Sequence, residues 1–447
     1  MAFGRPVNTW PLVLCGPMLR RVTRASVAVF VATSQKCRVA IEVYRGTSTS
    51  TKGTLLASFG TDTRALGDRL HVAVVDITGL ALAPGTLYGY DVRFTPEGGA
   101  DRYLADLGLL APPLSLGYDL KLPTFSVPEN LSELVITYGS CRKAHGEGHD
   151  AFPLLDRMIE RDRLSPRRRP HLLILGGDQI YADDVPVPLL TLIREVGTDL
   201  MGPGYTETLT PATGTAYSFA DAAIGAGPER ARFTNTAVGY TAGLENAELT
   251  DAHLLFRAEY YGIYLFQWSD ALWPDHLGLA ADHFSALGTV PDSYRTKIEQ
   301  QSLRLNAFRR AVPQARRALA NVPTLMVFDD HDVTDDWNLH REWVTRVRTT
   351  GVTRQVTRNA LAAYTVFQAW GNEPAAYRGA ALHYTVGQQV LEALATDQNP
   401  VPIPEADLDA AFDIAAATTA PNARLRFDWE HLDADAGFRV IALDTRT

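Results

Sequence analysis

Cysteine is scarce in this sequence: Cys15, Cys37 and Cys141 are the only three in 447 residues, and no C-x-x-C pair occurs. So few, so scattered thiols build neither a disulfide framework nor a knuckle-type structural zinc site. Long apolar runs are missing too. No stretch of about 18 uncharged apolar residues is present, so no spanning helix is expected. The opening MAFGRPVNTWPLVLCGPML carries only a short, interrupted apolar run, without the h-region or A-x-A site of a secretory signal. That sets the expectation of a cytoplasmic location. Positive charge is not in excess either. Lys and Arg number 42 against 51 Asp and Glu, a net charge of −9. A nucleic-acid scaffold role is therefore not expected, because such proteins leave a basic footprint. An acidic chain can still bind phosphate where metals and a few arginines invert the local field.

What is present is ordinary for a globular protein: 46% hydrophobic and 21% charged residues, and length for two or three domains. Residues 10–105 hold short period-2 runs rich in β-branched side chains, among them VTRASVAVFVAT, CRVAIEVYRG and RLHVAVVDIT. Gly, Ser, Thr and Pro punctuate them. This pattern predicts an antiparallel sandwich of roughly 100 residues, followed by a Pro- and Leu-rich linker over 108–132. From Glu133 the grammar changes. LVITYGSCR reads as a buried strand, DAFPLLDRMIERDRL as a helix with Asp150 at its N-cap and Pro153 in its first turn, and HLLILGGD as a second strand. Such a β-α-β unit is parallel and right-handed. The organisation expected is a β-sandwich with linker at 1–128 and a second domain at 129–447. A helical insertion interrupts the latter at about 185–320. Residues 355–397 read as helix and then strand, with His383 at a strand position, and 402–425 as an acidic helix or loop.

Polar clusters close the apolar runs. GGDQIY (Gly176 to Tyr181) lets Asp178 project from a tight turn, and this carboxylate either meets a cation or caps a turn. FDDHDVTDDWN (Phe328 to Asn338) follows the apolar run TLMVF and packs Asp329, Asp330, His331, Asp332, Asp335 and Asp336 together. Without counter-charge they would push one another's pKa upward; cations resolve that, and a solvated acidic loop is the alternative. Cys141 in GSCR is either a small buried hydrophobe or a thiolate beside hard ligands, which suggests a redox metal such as iron. Arg142 is suited to hold phosphate by bidentate hydrogen bonds.

Together, GSCR at 139–142, GGDQIY at 176–181, FDDHDVTDDWN at 328–338 and LDTRT at 443–447 resemble the PhoD-like (alkaline phosphatase D) family of metallophosphoesterases. The resemblance implies an N-terminal all-β sandwich followed by an α/β (α+β layered) metallophosphoesterase-type domain. It implies hydrolysis of phosphate mono- or diesters with two or more ions per complete site, iron and calcium or other divalent metals. Asp178 would bridge the metals, Cys141 and Tyr181 would bind the iron-like ion, and Asp330 the second. His331 would serve as proton donor or phosphate contact and Arg142 would hold the phosphate. Asp329, Asp332 and Asn338 are further candidates.

The sequence departs from the family after Asn338. No Gly-Asp-x-His or His-x-His segment follows to supply the later ligands. The expectation is a chain whose C-terminal part is missing, with exposed sheet edge and apolar surface and a tendency to aggregate. The competing expectation is a non-catalytic relative that binds a phosphorylated ligand or partner.

Overall fold

The computed structural model describes residues 4–240, 247–277, 292–378, 385–396, 405–417 and 423–446. His383 lies outside them. The period-2 runs become β1 (Val13–Thr23), β2 (Ser26–Thr33), β3 (Cys37–Arg45), β4 (Thr54–Asp62), β5 (Arg64–Gly67), β6 (Leu70–Thr78) and β7 (Tyr88–Pro96). Two short strands follow, β8 (Arg102–Tyr103) and β9 (Thr124–Phe125). They form two antiparallel sheets, β1-β2-β6-β5 and β4-β3-β7-β8, with β9 pairing β7. Val27, Val29, Val31, Val39, Ile41 and Val92 meet in one core, the inward set of a sandwich. The outer face of the first sheet is covered as well: Leu14, Met18, Phe30 and Val72 join the main core of the molecule. Burial on both faces explains why β1, β2 and β6 read as near-continuous apolar runs. Arg20 fastens the two halves from a fully buried position. It donates to the carbonyls of Thr324, Phe367 and Gln368 and to the Asn372 side chain at 2.8 to 3.1 Å.

The second half is built on three parallel strands, β10 (Ile136–Gly139), β11 (Leu172–Leu175) and, after a small hairpin β12 (Thr208–Leu209) and β13 (Tyr217–Ser218), β14 (Thr324–Met326). Their order is β10-β11-β14, so all three carboxyl ends lie along one rim of the sheet. β10 and β11 are joined through α1 (Phe152–Asp162), as a β-α-β unit requires. The helix begins at Phe152, and Asp150 Oδ1 accepts from the Phe152 amide at 3.0 Å. The C-terminal run FRVIALDTRT lies outside this sheet. It forms β16 (Phe438–Ala442), antiparallel to β15 (Trp429–Asp433). Trp429 packs with Leu172 and Leu325 and donates its indole N–H to the Met326 carbonyl at 2.7 Å.

The remaining large helices are α2 (Val187–Met201), α3 (Arg257–Trp268), α4 (Asp292–Asn321) and α5 (Gly351–Tyr364). The sequence of residues 355–397 predicts helix and then strand, and the described end of that segment differs: Val386–Leu394 is a helix, capped by the Thr385 side chain on the Gln388 amide. Val390, Leu391 and Leu394 fall on its buried face, and that helical spacing outweighs local β propensity. No described helix is long and apolar enough to cross a membrane.

Inside the insertion, Glu259 is fully buried against Arg230 at 2.6 Å and Arg194 at 2.7 Å. Burial alone would raise its pKa, but the two guanidiniums hold it at about 2. A carboxylate depressed in the folded state stabilises the fold above its ordinary range, and that contribution is lost as pH falls toward 2. Glu259→Gln leaves two arginines without counter-charge. It is expected to cost about 3–5 kcal/mol, read as a lowered urea midpoint at neutral pH.

Candidate functional site

Three loops leave the same rim of the parallel sheet, and backbone geometry locks them together. The Cys141 amide donates to the Gly177 carbonyl at 3.1 Å and the Arg142 amide to the Asp178 carbonyl at 2.9 Å. Gly177 has φ of +112°, and a Cβ there would meet Asp329 Cβ at 2.6 Å. The second and third loops therefore touch where no side chain fits. Six described residues other than glycine take positive φ, and four of them (Cys141, Asp178, Asp336 and Asn338) belong to these loops. Such conformations cost about 1–3 kcal/mol each and persist where surrounding structure imposes them. Gly177→Ala is expected to pry the loops apart, lowering the melting temperature and abolishing metal retention, both measurable on one preparation.

Asp178 is buried. The Cys141 thiol donates to its Oδ2 at 3.3 Å, while its Oδ1 is buried without any hydrogen-bond partner. Ligand atoms of Asp178, Asp330 and His331 lie within 4.8 Å of one another, as do those of Asp330, Asp335 and Asp336. Burial pushes the Asp178 carboxyl up to about 6 and also raises Asp335 and Asp332. Tyr181 stacks on the His331 ring at 4.3 Å, with Asp178 and Cys141 close by. Burial raises the pKa of both the phenol and the thiol. A buried carboxylate oxygen without a donor, flanked by acceptors, a phenol and a thiol, fits a cation. Loading such a site releases protons, because ligation needs the deprotonated forms.

His331 is held from behind. Asp183 accepts from its Nδ1 at 2.8 Å and also takes the Asp335 amide at 2.7 Å. Burial would lower the imidazole pKa, but the Asp183 hydrogen bond and charge, with Asp178 and Asp330 nearby, raise it to about 9. Arg446 supplies an internal cation, with Nε 2.9 Å from Asp329 Oδ1 and a terminal nitrogen 3.4 Å from Asp330 Oδ2. Its carbonyl accepts from Trp337 Nε1 at 3.1 Å and Asn338 Nδ2 at 2.9 Å. Asn338 thus positions Arg446. Asp332 is an internal brace, accepting from the Asp329 amide at 3.2 Å, Gln368 at 3.1 Å and the Tyr264 hydroxyl at 3.4 Å.

Arg142 departs from the expectation of a phosphate contact. Its guanidinium donates to Asp150 Oδ2 at 2.6 Å and to the Gln267 carbonyl, and it is buried. The aromatic faces of Phe152 and Phe308 cover it. Fully partnered, it fastens the loop after β10 to α3 and α4 rather than facing Asp178. Sequence reasoning gave no role to Asp183 or Arg446, although both lie inside the quoted motifs or beside them. The available signal was Asp183, a carboxylate five positions after Asp178 in the same acidic loop.

A family model described as a domain of unknown function (DUF7800) matches residues 11–98. No curated protein matches the chain. Among solved structures, one described as PhoD is similar over 99% of this chain and 53% of its own, with a TM-score of 0.38 and 11% identity. A purple acid phosphatase from yellow lupin (Lupinus luteus) seeds aligns with 52% of this chain and 41% of its own, with a TM-score of 0.25 and 12% identity. The chain spans about half the length of the first of these structures.

Proposed function

We propose that this protein is a metal-dependent phosphohydrolase acting on phosphate mono- or diesters. Residues 1–128 are read as a supporting β-sandwich and 129–447 as the unit that bears the site. The observation that carries the proposal is the orphaned, buried Oδ1 of Asp178 beside Asp330 and His331. Asp178 and Asp330 would hold the ions, with Cys141 and Tyr181 at the Asp178 side. The mixed donor set favours iron there, and the carboxylates favour calcium or another hard divalent ion. Bound metal supplies Lewis-acid polarisation of phosphoryl oxygens and acidifies water.

The chain's own residues do the rest. Asp183 fixes the His331 ring and keeps it protonated at neutral pH, so His331 can donate a proton to the departing oxygen. Tyr181 stacked on that ring restricts its rotation. Asp332 fixes the turn that presents Asp330 and His331.

A second reading has its own support. Arg446 already pairs with Asp329 and Asp330, as a site neutralised internally and used only for binding would do. Hydrolysis of p-nitrophenyl phosphate and bis(p-nitrophenyl) phosphate, with and without chelator and added metals, separates the two. Metal-dependent turnover that disappears in Asp178→Asn supports the enzyme. Retained affinity for phosphate with no turnover under any metal favours the binding protein.

A further inference from the structure

A cleft of roughly 1100 Å³ opens directly beside Cys141, ample for a nucleotide-sized ligand. One wall is the loop after β10 with the first two turns of α1, and the other is the middle of α4, from Leu303 to Gln314. Arg142 joins them, its guanidinium lying 4.7 Å from the Phe152 ring and 4.5 Å from that of Phe308.

The charge of this cleft opposes that of the chain. Five cations line it (Arg142, Lys143, Arg157, Arg304 and Arg310), against the two carboxylates of Glu147 and Asp150. Those carboxylates already pair with Arg304 and Arg142, and Lys143 pairs with Asp184. Arg157 and Arg310 remain, exposed on opposite walls. Neither forms an ion pair among the described residues. Gln179, also on the lining, is buried with a side-chain oxygen that has no hydrogen-bond partner. Cys141 belongs both to this lining and to the acidic cluster, its Sγ 3.3 Å from Asp178 Oδ2. Cys141 is therefore the residue at which the cleft and the acidic cluster meet.

We propose that the cleft is a subsite for a second anionic group of the substrate, with the scissile phosphate at Asp178 and His331 and the second anion between Arg157 and Arg310. The inference rests on the phosphohydrolase reading and narrows it to small phosphate esters that carry a further phosphate. A substrate without a second charge gains nothing from these arginines. One that has it gains charge-assisted hydrogen bonds on both walls.

Two chromogenic diesters test this. One is bis(p-nitrophenyl) phosphate, which has no second anion. The other is thymidine 3′,5′-bisphosphate esterified with p-nitrophenol on its 5′-phosphate. The double variant Arg157→Ala, Arg310→Ala is expected to raise KM for the bisphosphate ester by roughly tenfold or more. With the first diester its activity stays within about twofold of the parent. Where the parent hydrolyses both esters, equal effects of the double variant on both, or no effect on either, overturn the subsite. Calorimetric binding of thymidine 3′,5′-bisphosphate to the metal-free chain is read in parallel. Weaker binding by the double variant upholds the subsite even if neither ester is hydrolysed, in which case it is the hydrolytic reading that fails. Equal binding by parent and variant overturns the subsite whatever the activity.

Discussion

Asp178→Asn is expected to abolish metal retention and to lower hydrolysis of bis(p-nitrophenyl) phosphate by roughly 10³-fold or more. The same substitution is expected to make the metal-free protein more stable. Both effects have one cause. Asp178 sits buried with one oxygen unpartnered, and burial outweighs the Cys141 hydrogen bond and the His331 charge and raises its carboxyl to about 6, so at neutral pH the folded chain holds an incompletely compensated desolvated charge. A carboxyl raised in the folded state favours folding at low pH, and that advantage disappears as pH rises through about 6. His331 acts in the same direction. Its pKa, raised to about 9, gives stability that is fully present below the ordinary imidazole range and lost as pH rises through about 9. The metal-free chain is therefore expected to lose stability from about pH 4 to 9, first through Asp178 and then through His331, and added metal to reverse the loss. An amide at 178 removes the buried charge and should raise stability by about 1–3 kcal/mol near neutral pH. A residue whose removal stabilises the fold while ending activity is placed for function. Urea melts of both proteins across that pH range, with and without metal, check the sign.

His331→Ala is expected to lower kcat by roughly 10²–10⁴-fold, the range for loss of a general acid. Asp183 touches the His331 ring and not the substrate, so Asp183→Asn is a positioning change, expected to cost about 10- to 100-fold. The pH profile distinguishes positioning from structural damage. Asp183 is the main cause of the raised His331 pKa, so its loss should move the alkaline fall in activity to lower pH. A structural defect would depress the whole profile without moving it. The steady-state rate against pH for parent and Asp183→Asn, each saturated with metal, is the measurement.

The site was legible where chemistry lies next to an apolar run. Gly176-Gly177-Asp178 and Phe328 to Asn338 directly follow short strands, and parallel pairing of those strands brings both clusters to one rim. Contacts between distant segments were not legible. Asp183 and His331 are 148 residues apart, and nothing local says that one accepts from the other. Arg142 looks like a phosphate ligand until Gln267, 125 residues away, and Asp150 are seen to take its donors. The sandwich was readable from alternation because one core lies between its sheets. That its first sheet is covered on the outer face as well shows only in runs such as SVAVFVAT, where every residue but the first is buried. The later part of 355–397 reads as strand, and in its described end packing of Val390, Leu391 and Leu394 on one face makes Val386–Leu394 a helix.

The most direct test of the account is the metal content of the purified 447-residue chain. The protein is loaded with iron and calcium, desalted, and measured by inductively coupled plasma mass spectrometry beside Asp178→Asn. The account predicts at least one tightly held ion per chain, absent from the variant. Equal metal in both proteins, or none in either, contradicts it.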